Sequence, residues 1–98
     1  MGYKPPIKVR KNAQIARRCL KKGSKAMTRV GRYRSAQLAK GKSVSIDTLK
    51  RMKRFARHRG NKSYKGNPCD DKGYVAWKGW GGDAGIRWAK EILKRKKR

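Results

Sequence analysis

Apolar residues in this chain recur at helical intervals, and no stretch alternates long enough to predict a strand. Ile15, Ala16, Cys19 and Leu20 fall at i, i+1, i+4 and i+5, forming one stripe. Asn12 ahead of them is a good N-cap and Gly23 a good stop, so the pattern predicts a first helix of about three turns. A second helix is expected from Thr28, as N-cap, to Lys40, where Gly41 ends it. Val30, Tyr33, Ala36, Gln37 and Leu38 would form its buried side, although Gly31 weakens its start. The third helix has Ser45 as N-cap and Asp47 in the first turn, where negative charge suits the helix dipole. Leu49, Met52, Phe55 and Ala56 make its apolar stripe, and Lys50, Arg51, Lys53, Arg54 and Arg57 occupy the remaining faces.

Between Arg59 and Lys72 the periodicity breaks: Gly60, Asn61, Ser63, Gly66, Asn67 and Pro68 are turn formers, so a loop carrying Tyr64 is expected. Asp70 and Asp71 are the only adjacent acids, and their position before Tyr74 to Trp80 fits helix capping or a local salt bridge better than catalysis. Gly81 and Gly82 break that aromatic segment, and Asp83 would cap a last helix with Ile86, Ala89, Ile92 and Leu93 as its stripe and Trp88 on its border. Glu91 and Arg95 are spaced for an i, i+4 ion pair. The expected fold is all-α, a compact bundle of four to five short helices. A basic extended arm over residues 1–11, stiffened by Pro5 and Pro6, precedes a helical domain over 12–93 and a basic tail over 94–98.

Charge changes this picture most. Thirty-one Lys and Arg stand against five Asp and Glu in 98 residues, a formal charge of +26 spread along the whole length. A small body so charged repels itself unless counterions or phosphates neutralise it, which makes nucleic acid the first expected partner. The three Trp and four Tyr argue against a disordered polycation. No apolar run is long enough to span a bilayer and the start lacks a secretory apolar stretch, so a soluble, cytosolic protein is expected, with no membrane partner. In that compartment Cys19 and Cys69 are expected as reduced thiols, Cys19 packing as a small apolar residue, with a single bridge the alternative. Cys19, Cys69 and the lone His58 make three potential zinc ligands, short of a closed structural site, and no cofactor or metal is expected. His58 sits among arginines with no partner to orient it, so no enzyme activity is expected.

Two resemblances sharpen the expectation. Leu38-Ala39, then Val44-Ser45, then Thr48-Leu49 are spaced as in the helix-turn-helix of phage-repressor-like proteins, in which the leucine and aliphatic residues pack the two helices together and the serine caps the second. Lys42 and Ser43 depart from it, standing where that family tends to have an apolar residue and a glycine. The resemblance implies a helix-turn-helix-like pair within the bundle and a third helix lying in a major groove. Lys50, Arg51 and Arg54 would then lead the nucleic-acid contacts, with Lys53, Arg57, Lys42, Arg10 and Lys11 as further candidates. Asp47 would be able to accept from a cytosine amino group.

The runs Met27-Thr28-Arg29-Val30-Gly31-Arg32, Gln37 to Gly41, Phe55-Ala56-Arg57-His58 and Gly73 to Trp77 precede Trp80-Gly81-Gly82-Asp83-Ala84-Gly85 and Trp88-Ala89. Together they resemble a small basic domain recurrent in tailed-bacteriophage proteins, which has no established activity and occurs alone or beside head-assembly modules. This resemblance covers most of residues 12 to 95 and implies a viral source, with the host cytoplasm or the virion as location. Among the aromatics, Trp77, Trp80 and Trp88 are expected in the core, and Tyr64 is the candidate for stacking on an unpaired base. The expected function is nucleic-acid binding, duplex DNA above RNA, largely through phosphates with limited sequence preference. A virion component touching genome or acidic capsid or neck proteins is the second reading, and a ribosomal-type RNA binder the third.

Overall fold

The computed structural model describes residues 2–56, 69 and 71–96. Arg57, His58, Tyr64, Asp70, Lys97 and Arg98, about which the sequence raises expectations, lie outside them. The described residues form five helices: α1 (Ile7–Lys21), α2 (Arg29–Ala39), α3 (Ile46–Arg54), α4 (Lys72–Gly79) and α5 (Gly82–Lys96). The all-α expectation is met, and among the described residues the only extended pairing is an isolated antiparallel bridge between Tyr3 and Val44.

α1 begins at Ile7, ahead of the expected Asn12 cap. Pro6 precedes it in an extended conformation and offers no side-chain hydrogen bond, so this start has no polar signature. Burial extends the helix: Val9, Ala13, Ala16 and Cys19 repeat at i, i+4, i+7 and i+10, and all are buried. The expected arm over 1–11 is therefore corrected to residues 2–6, with Arg10 and Lys11 on the helix. Even that lead is held, because Tyr3 and Val44 exchange N–H···O bonds of 2.9 Å in both directions. Asn12, now mid-helix, donates from Nδ2 to the Gly81 carbonyl (2.8 Å) and accepts at Oδ1 from Lys78 Nζ (3.3 Å), tying α1 to the far end of the chain.

α2 starts where expected, with the Gly31 N–H donating to Thr28 Oγ1 (3.1 Å), but it is rotated about its axis. Val30 and Tyr33, expected inside, are 48% and 65% exposed; Leu38 is buried as expected, and Gly31 and Ser35 are buried with it. The reason is close packing of small residues as α2 lies against α1 and α4. A Cβ added to Gly79 of α4 would lie 2.4 Å from Met27 Cε and 3.4 Å from Ser35 Cβ, so a larger residue there would have to displace the end of the Met27 side chain. The buried Ser35 hydroxyl is satisfied by donating to the Arg32 carbonyl at 2.9 Å.

α3 matches its sequence signals. Ser45 Oγ accepts from the Thr48 N–H (3.3 Å), and Leu49 and Met52 are fully buried. The helix packs against α5, and Phe55 at its end stacks on Trp77 and Trp80 with centroid distances of 5.9 and 5.5 Å. Trp77 is buried, while Trp80 and Trp88 pack half-buried against the core as the sequence leads one to expect. Asp71 caps α4, its Oδ1 accepting from the Tyr74 N–H at 3.1 Å. α5 begins at Gly82, so Asp83 sits in its first turn and not at the cap position assigned to it from sequence. Gly81 at φ +97° makes that corner, and a Cβ there would lie 2.9 Å from both Gly85 Cα and Val9 Cγ1. The expected Glu91–Arg95 ion pair forms at 3.1 Å on an exposed face.

Among the described residues two buried clusters result. Val9, Ala13, Leu38, Val44, Leu49, Met52, Ala89 and Leu93 form the larger, and Ala16, Cys19, Ala26 and Val75 the smaller. The smaller corrects a further expectation: Cys19 and Cys69 are joined in a disulfide across a sequence separation of 50. Packing of α4 on α1 brings Cys69, just ahead of α4, onto the buried face of α1, a juxtaposition that compartment reasoning ignores.

Candidate nucleic-acid interface

Because Thr48, Leu49 and Met52 turn inward, α3 must present its other positions to solvent. Asp47, Lys50, Arg51 and Arg54 follow at i, i+3, i+4 and i+7 along one exposed strip, with Lys53, also exposed, on its flank. Among the described residues none of these four cations is ion-paired to a carboxylate, although Arg54 Nε donates to the Lys50 carbonyl at 3.5 Å. The strip is rigid at its root, since two fully buried side chains and the Ser45 cap fix the helix beneath it.

The other candidates gather around the connection between α2 and α3. Arg10 reaches from α1 over Gly41, so closely that a Cβ on that residue would lie 2.8 Å from Arg10 Nε. Gly41 adopts φ +72°, and the next residue, Lys42, is exposed. The connection is braced from both sides: Gln14 Nε2 donates to the Ala39 carbonyl (3.1 Å) and Gln37 Nε2 to the Ser43 carbonyl (2.9 Å). Arg10 and Lys42 are thus brought together at one turn, while Lys11 is exposed on α1. The α3 cations form a separate group, because α3 rests on α5 and makes no direct helix packing with α1.

The residues of the helix-turn-helix-like pattern do meet. Leu38, Val44 and Leu49 lie in one buried cluster and Ser45 caps the second helix. α2 and α3 do not otherwise pack on each other directly; α2 leans on α1 and α4, and the link between them runs extended through Val44 to pair with Tyr3. Lys42 and Ser43, where the repressor-like pattern has an apolar residue and glycine, are both exposed in this link. Arg57 and Tyr64 are outside the described residues.

One surface aromatic went unrecognised in the sequence. Tyr33, taken there for core, stands on the exposed side of α2 with the Arg34 guanidinium 5.6 Å from its ring centroid. The signal that could have found it is the Gly31, Ser35, Leu38 series, a small-residue face competing with the apolar one. No His, Cys, Asp or Glu cluster able to hold a metal ion occurs among the described residues, and no helix among them is long and apolar enough to cross a membrane. Fold and surface together define a small, strongly basic, disulfide-linked helical domain. No family model, curated protein or solved structure matches the chain.

Proposed function

We propose that this protein binds nucleic acid, duplex DNA foremost, through the phosphate backbone and with limited sequence preference. The observation that carries the reading is the exposed α3 strip of Lys50, Arg51 and Arg54, flanked by Lys53 and unpaired by any described acid, in a chain of net charge +26. Neutralising such cations with phosphates releases condensed counterions and relieves the domain's self-repulsion at the same time. The reading is one of binding without catalysis, since the described residues of this strip are cations and one carboxylate, Asp47. A phage origin, proposed on the Trp80-Gly81-Gly82-Asp83 segment and its neighbouring motifs, is consistent with a short basic protein that handles a genome.

Changing Arg51 and Arg54 together to Ala tests the α3 face. Both are exposed, so the fold should survive, and duplex binding should weaken while the slope of log affinity against log salt flattens by about one to two units. An unchanged slope would remove α3 from the interface. The Cys19–Cys69 bridge favours a second location for the same chemistry, because disulfides persist in particles outside the reducing cytosol. A virion component should appear at fixed copy number in washed particles, and its absence from them would exclude that role.

A further inference from the structure

Residues 1–46 contain fourteen Lys and Arg and no Asp or Glu, so the half of the chain that builds α1 and α2 is cationic throughout. Across this half runs a connected ribbon of side chains. Val30 and Tyr33 stand exposed one turn apart on α2. The Arg34 guanidinium lies 5.6 Å from the Tyr33 ring centroid and donates from Nη1 to Gln37 Oε1 at 2.6 Å. Gln37 continues the ribbon to the α2–α3 link by donating to the Ser43 carbonyl, beside Lys42 and the turn over which Arg10 is laid. Among the described residues, two buried side-chain nitrogens have no hydrogen-bond partner, Arg34 Nε and Arg10 Nε, and both lie on this ribbon.

Each of these features is costly for a face that meets only water. An aromatic ring and a valine left exposed forgo burial, and a guanidinium partly withdrawn from solvent without full hydrogen bonding carries a desolvation penalty that an anion would offset. A base with its flanking phosphates would engage the open ring and the remaining guanidinium N–H groups together. At most one face of the Tyr33 ring is taken by Arg34, and at 65% exposure the rest is open to a planar ligand. Stacked bases on tyrosine beside arginine are the means by which single-stranded nucleic acid is held irrespective of sequence. A paired duplex cannot supply this contact, because its bases are stacked on one another.

We infer that α2 is a second nucleic-acid surface, specific for an unpaired segment: one base stacks on Tyr33, and the adjoining phosphates lie on Arg34 and, across the link, on Lys42 and Arg10. The inference rests on the nucleic-acid reading above and adds to it a preference for single strands, gapped duplexes or ends at a face other than α3.

The test uses the full chain with three probes: a single-stranded oligonucleotide carrying one 2-aminopurine, the same sequence fully paired, and a polyglutamate of similar charge. Tyr33→Ala removes the ring from an exposed position, and its thermal midpoint should stay near that of the parent. It should weaken single-strand binding by about 5- to 150-fold and abolish the 2-aminopurine quenching, while leaving duplex affinity and its Arg51/Arg54 dependence intact. Tyr33→Phe should retain both affinity and quenching, and Tyr33→Leu, which keeps apolar area without a π face, should not. Equal single-strand affinity in Tyr33→Ala and parent, with duplex binding intact, overturns this inference alone. Binding of polyglutamate with indifference to both nucleic acids overturns it together with the reading on which it rests.

Discussion

Reducing the Cys19–Cys69 bridge is expected to lower the thermal midpoint by about 10–30 °C. The bridge joins positions 50 apart, enclosing α2 and α3, and loop-closure entropy for a ring of that size corresponds to about 4 kcal/mol, of which natural bridges commonly deliver 2–4. In a domain of this size the total margin is about 5–15 kcal/mol, so the loss is a large share of it. The opposing effect is small: Cys19 is 2% exposed and as a free thiol still packs as a modest apolar residue. Circular-dichroism melts with and without reductant, and of a Cys19→Ala/Cys69→Ala pair, measure the effect directly. Identical melts, together with two titratable thiols in the native protein, would show that the bridge does not form.

The largest effect on binding is expected from salt. If six to ten cations reach phosphates, raising monovalent salt from about 50 to 200 mM should weaken duplex affinity by roughly 10³- to 10⁵-fold. The supply is adequate: Lys50, Arg51, Lys53 and Arg54 on α3 are joined by Arg10 and Lys42 around the α2–α3 link and by Lys11 on α1. Among the described residues none of these seven cations is ion-paired to a carboxylate. Fluorescence anisotropy across a salt series should give a straight double-logarithmic plot with a slope of about −5 to −9. A slope shallower than about −1 would mean that phosphates are not the main partner, and the proposed function would fall with it.

Much of the architecture is written in local signals, and those signals are polar. Thr28, Ser45 and Asp71 each accept the N–H three residues on, as their types and positions predict, and Gly23 and Gly41 take positive φ where helices stop. The start of α1 was not legible because Pro6 marks it without a side-chain hydrogen bond. The facing of α2 was not legible because its buried side includes Gly31 and Ser35, the latter against Gly79 of α4, residues to which a hydrophobicity pattern gives no weight. The disulfide depends on a tertiary approach between α1 and the segment ahead of α4, which no local window contains. On the candidate site the exposed cations of α3 followed from the apolar stripe opposite them, whereas Tyr33 was hidden by the same misreading that turned α2 the wrong way.

The last helix also sets the order in which the molecule can be completed. Ala89 and Leu93 of α5 cover Leu49 and Met52 of α3 and Val9 of α1, so the main core is sealed from its C-terminal end. A chain that lacks α5 retains the smaller cluster between α1 and α4, but it leaves Leu49 and Met52 of α3 without the cover of Ala89 and Leu93. The main core therefore closes only once α5 has been delivered, and a product stopped before it would be a basic fragment with an exposed apolar face, fit for proteolysis.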